Sequence, residues 1–176
     1  MPIRPAILAD IPQLLPLINS AFRGETSKQG WTHEADLIEG AVRTDEETLR
    51  QILLAPEDVL LQYSDEAGHV QACVSLQKKE RGLYLGMLTV MPELQGAGIG
   101  QQLLAAAEDF AQQQHCPGIF MTVISVRTEL IAWYERHGYR QTGEIRPFSV
   151  EAKFGVPTQP LEFVILEKLI ASSSLP

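Results

Sequence analysis

The sequence predicts a mixed α/β fold of the α+β kind: a mostly antiparallel, twisted sheet flanked by helices, with one parallel strand pair inside it. Three observations predict it. Three strand-like runs between residues 59 and 90 follow one another through tight turns, the pattern of an antiparallel meander. An amphipathic helix then joins the third run to a fourth, which makes those two strands parallel through a right-handed crossover. Apolar residues at helical spacing recur near the N-terminus, in mid-chain and before the last strands, so the sheet has helices to cover it.

Taken in order, residues 3–8 are short and apolar-rich, a first strand. Asp10 is placed to cap a helix, with Pro12 tolerated in the first turn. Leu14, Leu15, Leu17, Ile18, Ala21 and Phe22 form its apolar face, and Gly24 stops it. Residues 23–43 carry little periodicity and make a polar connector with Trp31, His33, Glu34 and Asp36; a loop this long is often functional. Thr44 and Glu47 have capping-box spacing and open a second helix that ends near Leu54, before Pro56. Residues 59–63 form a strand and residues 65–68 a turn. Val70, Ala72, Val74 and Leu76 alternate with Gln71, Cys73, Ser75 and Gln77, a strand with one solvated face.

Residues 83–90 are a near-continuous apolar run, the look of a strand covered on both faces, and Pro92 cannot continue its ladder. Ile99, Leu103, Ala107 and Phe110 mark the greasy face of the next helix. Cys116, Pro117 and Gly118 halt the chain before a buried strand at residues 119–124. Leu130, Trp133, Tyr134 and His137 share a helical stripe that Gly138 closes. Residues 139–145 and 161–169 are the last strands, separated by a loop over residues 146–160. A single domain over residues 1–170 is expected, followed by a loose, small polar tail over residues 171–176.

Composition bounds the function. With 176 residues, 45% apolar and 20% charged, the chain can bury a real core and is not disordered. A net charge of −8 disfavours nonspecific binding to nucleic acid or anionic membrane, leaves room for a local basic site, and weakly favours cationic amines. Cys73 and Cys116 make neither a disulfide framework nor a metal-ligand spacing, so no metal is expected. The N-terminus lacks a signal-peptide core and no stretch approaches about 18 apolar residues, so a soluble cytoplasmic protein is expected.

The chemistry-bearing stretch is Gln95-Gly96-Ala97-Gly98-Ile99-Gly100, between the buried strand and the long helix. First-turn amides have no internal partner and sit at the positive end of the helix dipole, so an anion binds there if the backbone can approach it. Glycines permit that approach, which suggests a pyrophosphate cradle; a glycine-rich turn without a ligand is the plain alternative. A P-loop is excluded because Gln101 and Gln102, not Lys and Ser or Thr, follow Gly100. The dinucleotide fingerprint fails because Gly98 is followed by Gly100 and then Gln101.

Gln95, Gly98 and Gly100 do match Q-x-x-G-x-G, and the stretch resembles the pyrophosphate loop of the GNAT superfamily of acyl-CoA-dependent N-acyltransferases. Residues 130–144 add a second landmark, similar to the motif in which a tyrosine-bearing helix runs into Gly-Tyr and a strand. The order of elements resembles that fold along nearly the whole chain.

The resemblance implies transfer of an acetyl group from acetyl-CoA to a primary amine of a small molecule or peptide by direct attack. It implies a wedge where the strand at residues 83–90 splays from its parallel neighbour. Backbone groups of Leu88, Thr89 and Val90 would pair with the pantetheine arm. Amides of Gln95, Gly96, Ala97, Gly98, Ile99, Gly100 and Gln101 would hold the pyrophosphate. Tyr134 would be the general acid, since a phenol of pKa about 10 is protonated at neutral pH; a core tyrosine is the alternative. Two positions depart from the family. Arg127 stands where many members have Asn, and would pair with a CoA phosphate or face solvent. Thr122 stands where some members carry a general-base Glu, which leaves the base open among His33, Glu34, Glu93 and water.

Substrate choice in the family implicates residues 23–43 and 146–160. Trp31 is a candidate pocket wall or a loop anchor; Glu34 and Asp36 would attract an ammonium or stay solvated. Neither nucleic acid nor membrane is an expected partner, and exposed sheet edges leave a homodimer open. A non-catalytic acyl-CoA-binding regulatory module is the competing reading, and a dinucleotide-binding oxidoreductase a more distant one.

Overall fold

The computed structural model describes residues 2–171, so the expected tail, apart from Ala171, lies outside the described residues. In order, the elements are β1 (Ile3–Pro5), α1 (Ile11–Phe22), α2 (Gly24–Ser27), β2 (Ile38–Glu39), α3 (Glu46–Leu54), β3 (Asp58–Ser64) and β4 (Val70–Lys78). They continue with β5 (Leu83–Val90), α4 (Ile99–Gln113), β6 (Gly118–Ile124), α5 (Thr128–Arg136), β7 (Arg140–Pro147), β8 (Val156–Pro157) and β9 (Glu162–Leu169). Among the described residues the main sheet has seven strands in the order β1-β3-β4-β5-β6-β9-β7, and β2 pairs with β8 in a separate ribbon. The meander β3-β4-β5 is antiparallel, and β5 with β6 is the parallel pair made by the α4 crossover.

Period-two alternation along β5 decides which helices cover which face. Leu83 and Leu85 pack into a cluster with Leu103 and Ala107 of α4 and Ile131 and Tyr134 of α5. Leu60 of β3 and Cys73 of β4 pack the opposite way, against Leu14 and Ile18 of α1 and Leu49 of α3. Each of these large side chains contributes about 1.5–3 kcal/mol by leaving water. Among the described residues no helix is long and apolar enough to cross a membrane.

The parallel pair is short. Only Leu83–Ile119 and Tyr84–Phe120 are in register before the strands part. The cause lies in β5: its register against β4 shifts between Cys73 and Ser75, and Met87 takes φ 49°, in the left-handed region that non-glycine residues rarely adopt. Thr89 Oγ1 donates to the Met87 carbonyl at 2.9 Å and holds the bulge. A bulge bends its strand, and here the bend opens β5 away from β6.

Several local expectations are corrected. β1 ends at Pro5, and residues 8–10 form a 3-10 turn. Asp10 does not cap α1: its carboxylate accepts from the Ile7 amide at 2.9 Å and pairs with Arg4, so it is spent on the turn before the helix. The cap of α3 is Asp45, which accepts from the Thr48 amide at 2.8 Å. Thr44 is held one residue outside because the Asn19 side chain bonds both its amide and its carbonyl. The connector over residues 23–43 is not plain loop; it contains α2 and β2, and Ile38 of β2 faces Pro157 of β8. The two segments expected to choose the substrate therefore form one ribbon.

Candidate active site

Where β5 and β6 part, a cleft of about 690 Å³ opens. It is lined from both sides of the sheet: by α4 and α5 on one side, and by residues from α1 to α3 and from 148–154 on the other.

At the α4 end the backbone does the building. Gly98 is the N-cap of α4, with φ 86° and ψ 4°, and no side chain caps the helix. A Cβ added at Gly96 or Gly98 would meet no heavy atom within 4 Å, so the space in front of these amides is open. Uncapped first-turn amides, open space and the dipole together fit the diphosphate of CoA. Gly96, Gly98, Ile99, Gly100 and Gln101 line the cleft, as do Leu88 and Val90 of β5. A Cβ at Gly100 would stand 3.4 Å from the Trp133 ring, an ordinary van der Waals contact. The Ala97 amide donates to the Leu94 carbonyl at 3.3 Å, and Thr89 is buried with its hydroxyl on Met87.

Gln95 has a further job. Its Oε1 accepts from the Trp31 amide at 2.8 Å, and its Nε2 donates to Thr32 Oγ1 at 2.8 Å and to the Val90 carbonyl at 3.1 Å. It ties the connector to the end of β5. Gly30 makes the approach feasible, since a Cβ there would stand 2.5 Å from Gln95 Oε1.

Tyr134 lies at the junction. It is 5% exposed, lines the cleft and stacks edge-on with Trp133 and Tyr139 at centroid distances of 5.1 and 5.7 Å. Burial pushes its phenol pKa well above the ordinary value, against a weaker downward pull from Arg127. The hydroxyl is therefore protonated at any physiological pH.

The α1 end is built from side chains of distant segments. Glu34 accepts from Arg23 at 2.5 Å and from Arg127 at 3.0 Å. Arg127 also donates to the Thr32 carbonyl, and Arg23 Nη2 to the Phe154 carbonyl at 3.2 Å. The Arg23, Glu34 and Arg127 side chains are only 2%, 12% and 11% exposed. Burial raises the Glu34 pKa, but Arg127, Arg43 and Arg23 together outweigh it, so the carboxyl titrates below its ordinary value. Trp31 lines the cleft, its ring 6.3 Å from that of Trp133, and Tyr84 bonds Thr122 Oγ1 at 3.0 Å across the parted strands.

Asp36 is exposed and pairs with Lys28, Glu93 is exposed, and His33 accepts from the Ala35 amide at 3.2 Å; none of the three lines the cleft. Sequence reasoning missed Arg23, Arg43, Tyr84, Phe148 and Phe154 as lining residues. The available signal was faint: arginines stand at both ends of the connector, at positions 23 and 43.

A family model described as "Acetyltransferase (GNAT) family" matches residues 20–139, more than half of the chain and both landmarks around Gly98 and Tyr134. Acetyltransferase Atu2258 of Agrobacterium fabrum is 33% identical over 67 residues, 38% of this chain and 47% of that protein, so the chain spans about half the length of that relative. The ribosomal-protein-alanine N-acetyltransferase of Brucella melitensis superposes with a TM-score of 0.72 at 22% identity, over 97% of this chain and 100% of that one. The ribosomal-protein-S18-alanine N-acetyltransferase of Escherichia coli gives a TM-score of 0.71 at 18% identity, over 99% and 97%. At such identities the structures establish a shared fold and nothing about substrate. With the family match laid over this fold and this cleft, the chain belongs to the GNAT family of acetyltransferases.

Proposed function

We propose that the protein is an acetyl-CoA-dependent N-acetyltransferase that acts on a primary amine by direct attack, with Tyr134 as general acid. One observation carries the reading: the uncapped α4 N-terminus and the buried Tyr134 phenol share the cleft where β5 and β6 part. Bound acetyl-CoA would supply a thioester that an uncharged amine acylates itself on without an enzyme nucleophile. Amides of Gly96, Gly98, Ile99, Gly100 and Gln101 hold the diphosphate, while that of Ala97 is engaged by the Leu94 carbonyl. Backbone groups of Leu88 and the amide of Val90, whose carbonyl is held by Gln95, pair with the pantetheine arm on parted β5 and orient the thioester carbonyl. Tyr134 gives its proton to the departing sulfur as the C–S bond breaks and the C–N bond forms, and the proton shed by nitrogen returns through water to the phenol, so protons balance.

Binding and turnover test this together. Calorimetry with acetyl-CoA is expected to show saturable binding, and a panel of amines is expected to include one that releases CoA thiol. No binding of acetyl-CoA overturns the proposal. A second reading, a non-catalytic acyl-CoA-binding module, is favoured by one arrangement: Glu34 is engaged by two arginines and Thr122 by Tyr84, so among the described residues neither is free to act as a base on the α1 side. Tight binding without thiol release from any amine would decide for it.

A further inference from the structure

The charge of the cleft opposes that of the chain. The whole protein carries −8. At the α1 end of the cleft, Arg23, Arg43 and Arg127 face a single carboxylate, Glu34, so three positive groups against one negative leave a surplus of two. The other charged lining residues, Glu129 and Arg136, lie on α5 and offset each other.

Arg43 is the cation left over. Arg23 and Arg127 are both bonded to Glu34, whereas Arg43 forms neither an ion pair nor a side-chain hydrogen bond among the described residues. Its guanidinium sits 5.7 Å over the Phe22 ring. Burial lowers its pKa from the ordinary value, Glu34 opposes this, and Arg23 and Arg127 add to it, the signature of a positive charge short of a counter-ion. A guanidinium nevertheless stays protonated, and Arg43 is only half-buried, so its charge is open to an anion from outside.

Location says which anion. Tyr84 and Gly86 alternate with Leu83 and Leu85, and so face away from α4. Arg43 borders the cleft beside Tyr84, Gly86 and Met87, and also borders a recess lined by Thr48 and Gln51 of α3, Asp58 of β3 and Ser75 and Gln77 of β4, where Asp58 accepts from Gln77 Nε2 at 3.4 Å and forms no ion pair with Arg43. It therefore stands on the α1/α3 face of the sheet, across β5 from the glycine turn at the α4 N-terminus. The diphosphate seat and Arg43 are on opposite faces, which leaves Arg43 for the acceptor.

We infer that the acceptor amine also carries a carboxylate, as an α-amino acid does, and that Arg43 is its binding partner. This rests on the acetyltransferase reading and names its substrate class. The aromatic rings of Phe148 and Phe154 in the same end give the rest of such a molecule an apolar wall. The surplus charge repels polyamines and lysine-rich peptides. It also favours the uncharged form of the acceptor nitrogen, which reduces the need for a protein base.

The test compares leucine, methionine and phenylalanine with the amines that lack their carboxylate: isoamylamine, 3-(methylthio)propylamine and phenethylamine. The amino acids are expected to be preferred in kcat/KM by at least about 30-fold, the lower end for losing one partner of a buried charge pair. Arg43→Met is expected to raise KM for the preferred amino acid by at least about 30-fold, with a much smaller change in kcat. The same substitution is expected to improve use of the matching amine, because it removes a repulsive charge. Arg43→Lys should restore part of the amino-acid preference. Calorimetry with CoA and thermal melting report separately on the coenzyme site and the fold.

Equal use of amino acids and amines, or an equal loss of both in Arg43→Met, overturns the inference while leaving the acetyltransferase reading intact. Absence of CoA binding overturns that reading instead. If CoA binds and no acceptor turns over, binding of leucine against isoamylamine to the CoA-loaded protein decides, and equal affinities overturn the inference.

Discussion

The α4 end of the cleft is made of main chain, and the α1 end is made of side chains. At the α4 end, Gly96 and Gly98 present bare amides to open space, and the residues involved are consecutive. At the α1 end, Arg23, Glu34, Arg43 and Arg127 converge from the end of α1, the connector, the start of α3 and the start of α5. A backbone cradle for a diphosphate depends only on local angles and so keeps one design whatever the acceptor is. A side-chain end can be rebuilt without touching the cradle. On the proposed reading, the part that would serve a common coenzyme is separate from the part that would select a partner, with β5 as the boundary.

Tyr134 stands on that boundary, and the largest effect is expected there. Tyr134→Phe should lower kcat by about 100- to 10,000-fold, the range for removing a positioned general acid, while CoA affinity measured by calorimetry stays close to that of the wild type. Because burial raises the phenol pKa, the wild-type rate should also show no loss of the acid near pH 10, where an ordinary phenol would ionise. Full activity of the phenylalanine variant, with chemistry rate-limiting, would remove Tyr134 from the mechanism and leave it a core residue.

The next effect isolates the main-chain end. Gly98→Val puts a β-branched side chain at φ 86° and into the space before the amides. Backbone strain of this kind is about 1–3 kcal/mol, and the loop is expected to relieve it by moving, so CoA should bind about 100-fold more weakly. Gly98→Ala carries the same strain at φ 86° but adds only one methyl to the space before the amides, so it should lose less than Gly98→Val. Equal losses would mean that the angle alone matters; no loss in either would mean that the anion sits elsewhere.

That same contrast explains what could be read from the sequence. The meander, the crossover, the glycine turn and Tyr134 were legible because each is written in neighbouring residues: a period of two, a period of 3.6, or a contiguous motif. Asp45 displaced Thr44 as the cap of α3 because Asn19, 25 residues away, holds Thr44 by its backbone. Glu34 and Arg127 were visible as single residues, but their pairing spans 93 positions. Nothing local to either says that Glu34, expected to meet an ammonium, is already matched by arginines. The β2–β8 ribbon was hidden for the same reason: two-residue strands have no periodicity, and their close approach depends on Gly155, where a Cβ would stand 2.3 Å from Ile38 Cγ2.

The smallest effect separates the two ends by stability instead of activity. Glu34→Gln removes the charge that Arg23 and Arg127 share, at a site where all three side chains are nearly buried. At pH 7 a loss of about 2 kcal/mol is expected, the scale of hydrogen bonds to a charged group, read as a lower denaturant midpoint. The sign of the pH dependence follows from Glu34 having its folded pKa lowered by the arginines. Its contribution is complete above the unfolded carboxyl value, about 4.3, and is lost as pH falls through the lower folded value. The gap between wild type and variant should therefore be constant from pH 7 to about 5 and close under stronger acid. A gap that persists into acid would show that Glu34 contributes by shape and not by charge, and would remove it as the counter-ion of Arg23 and Arg127.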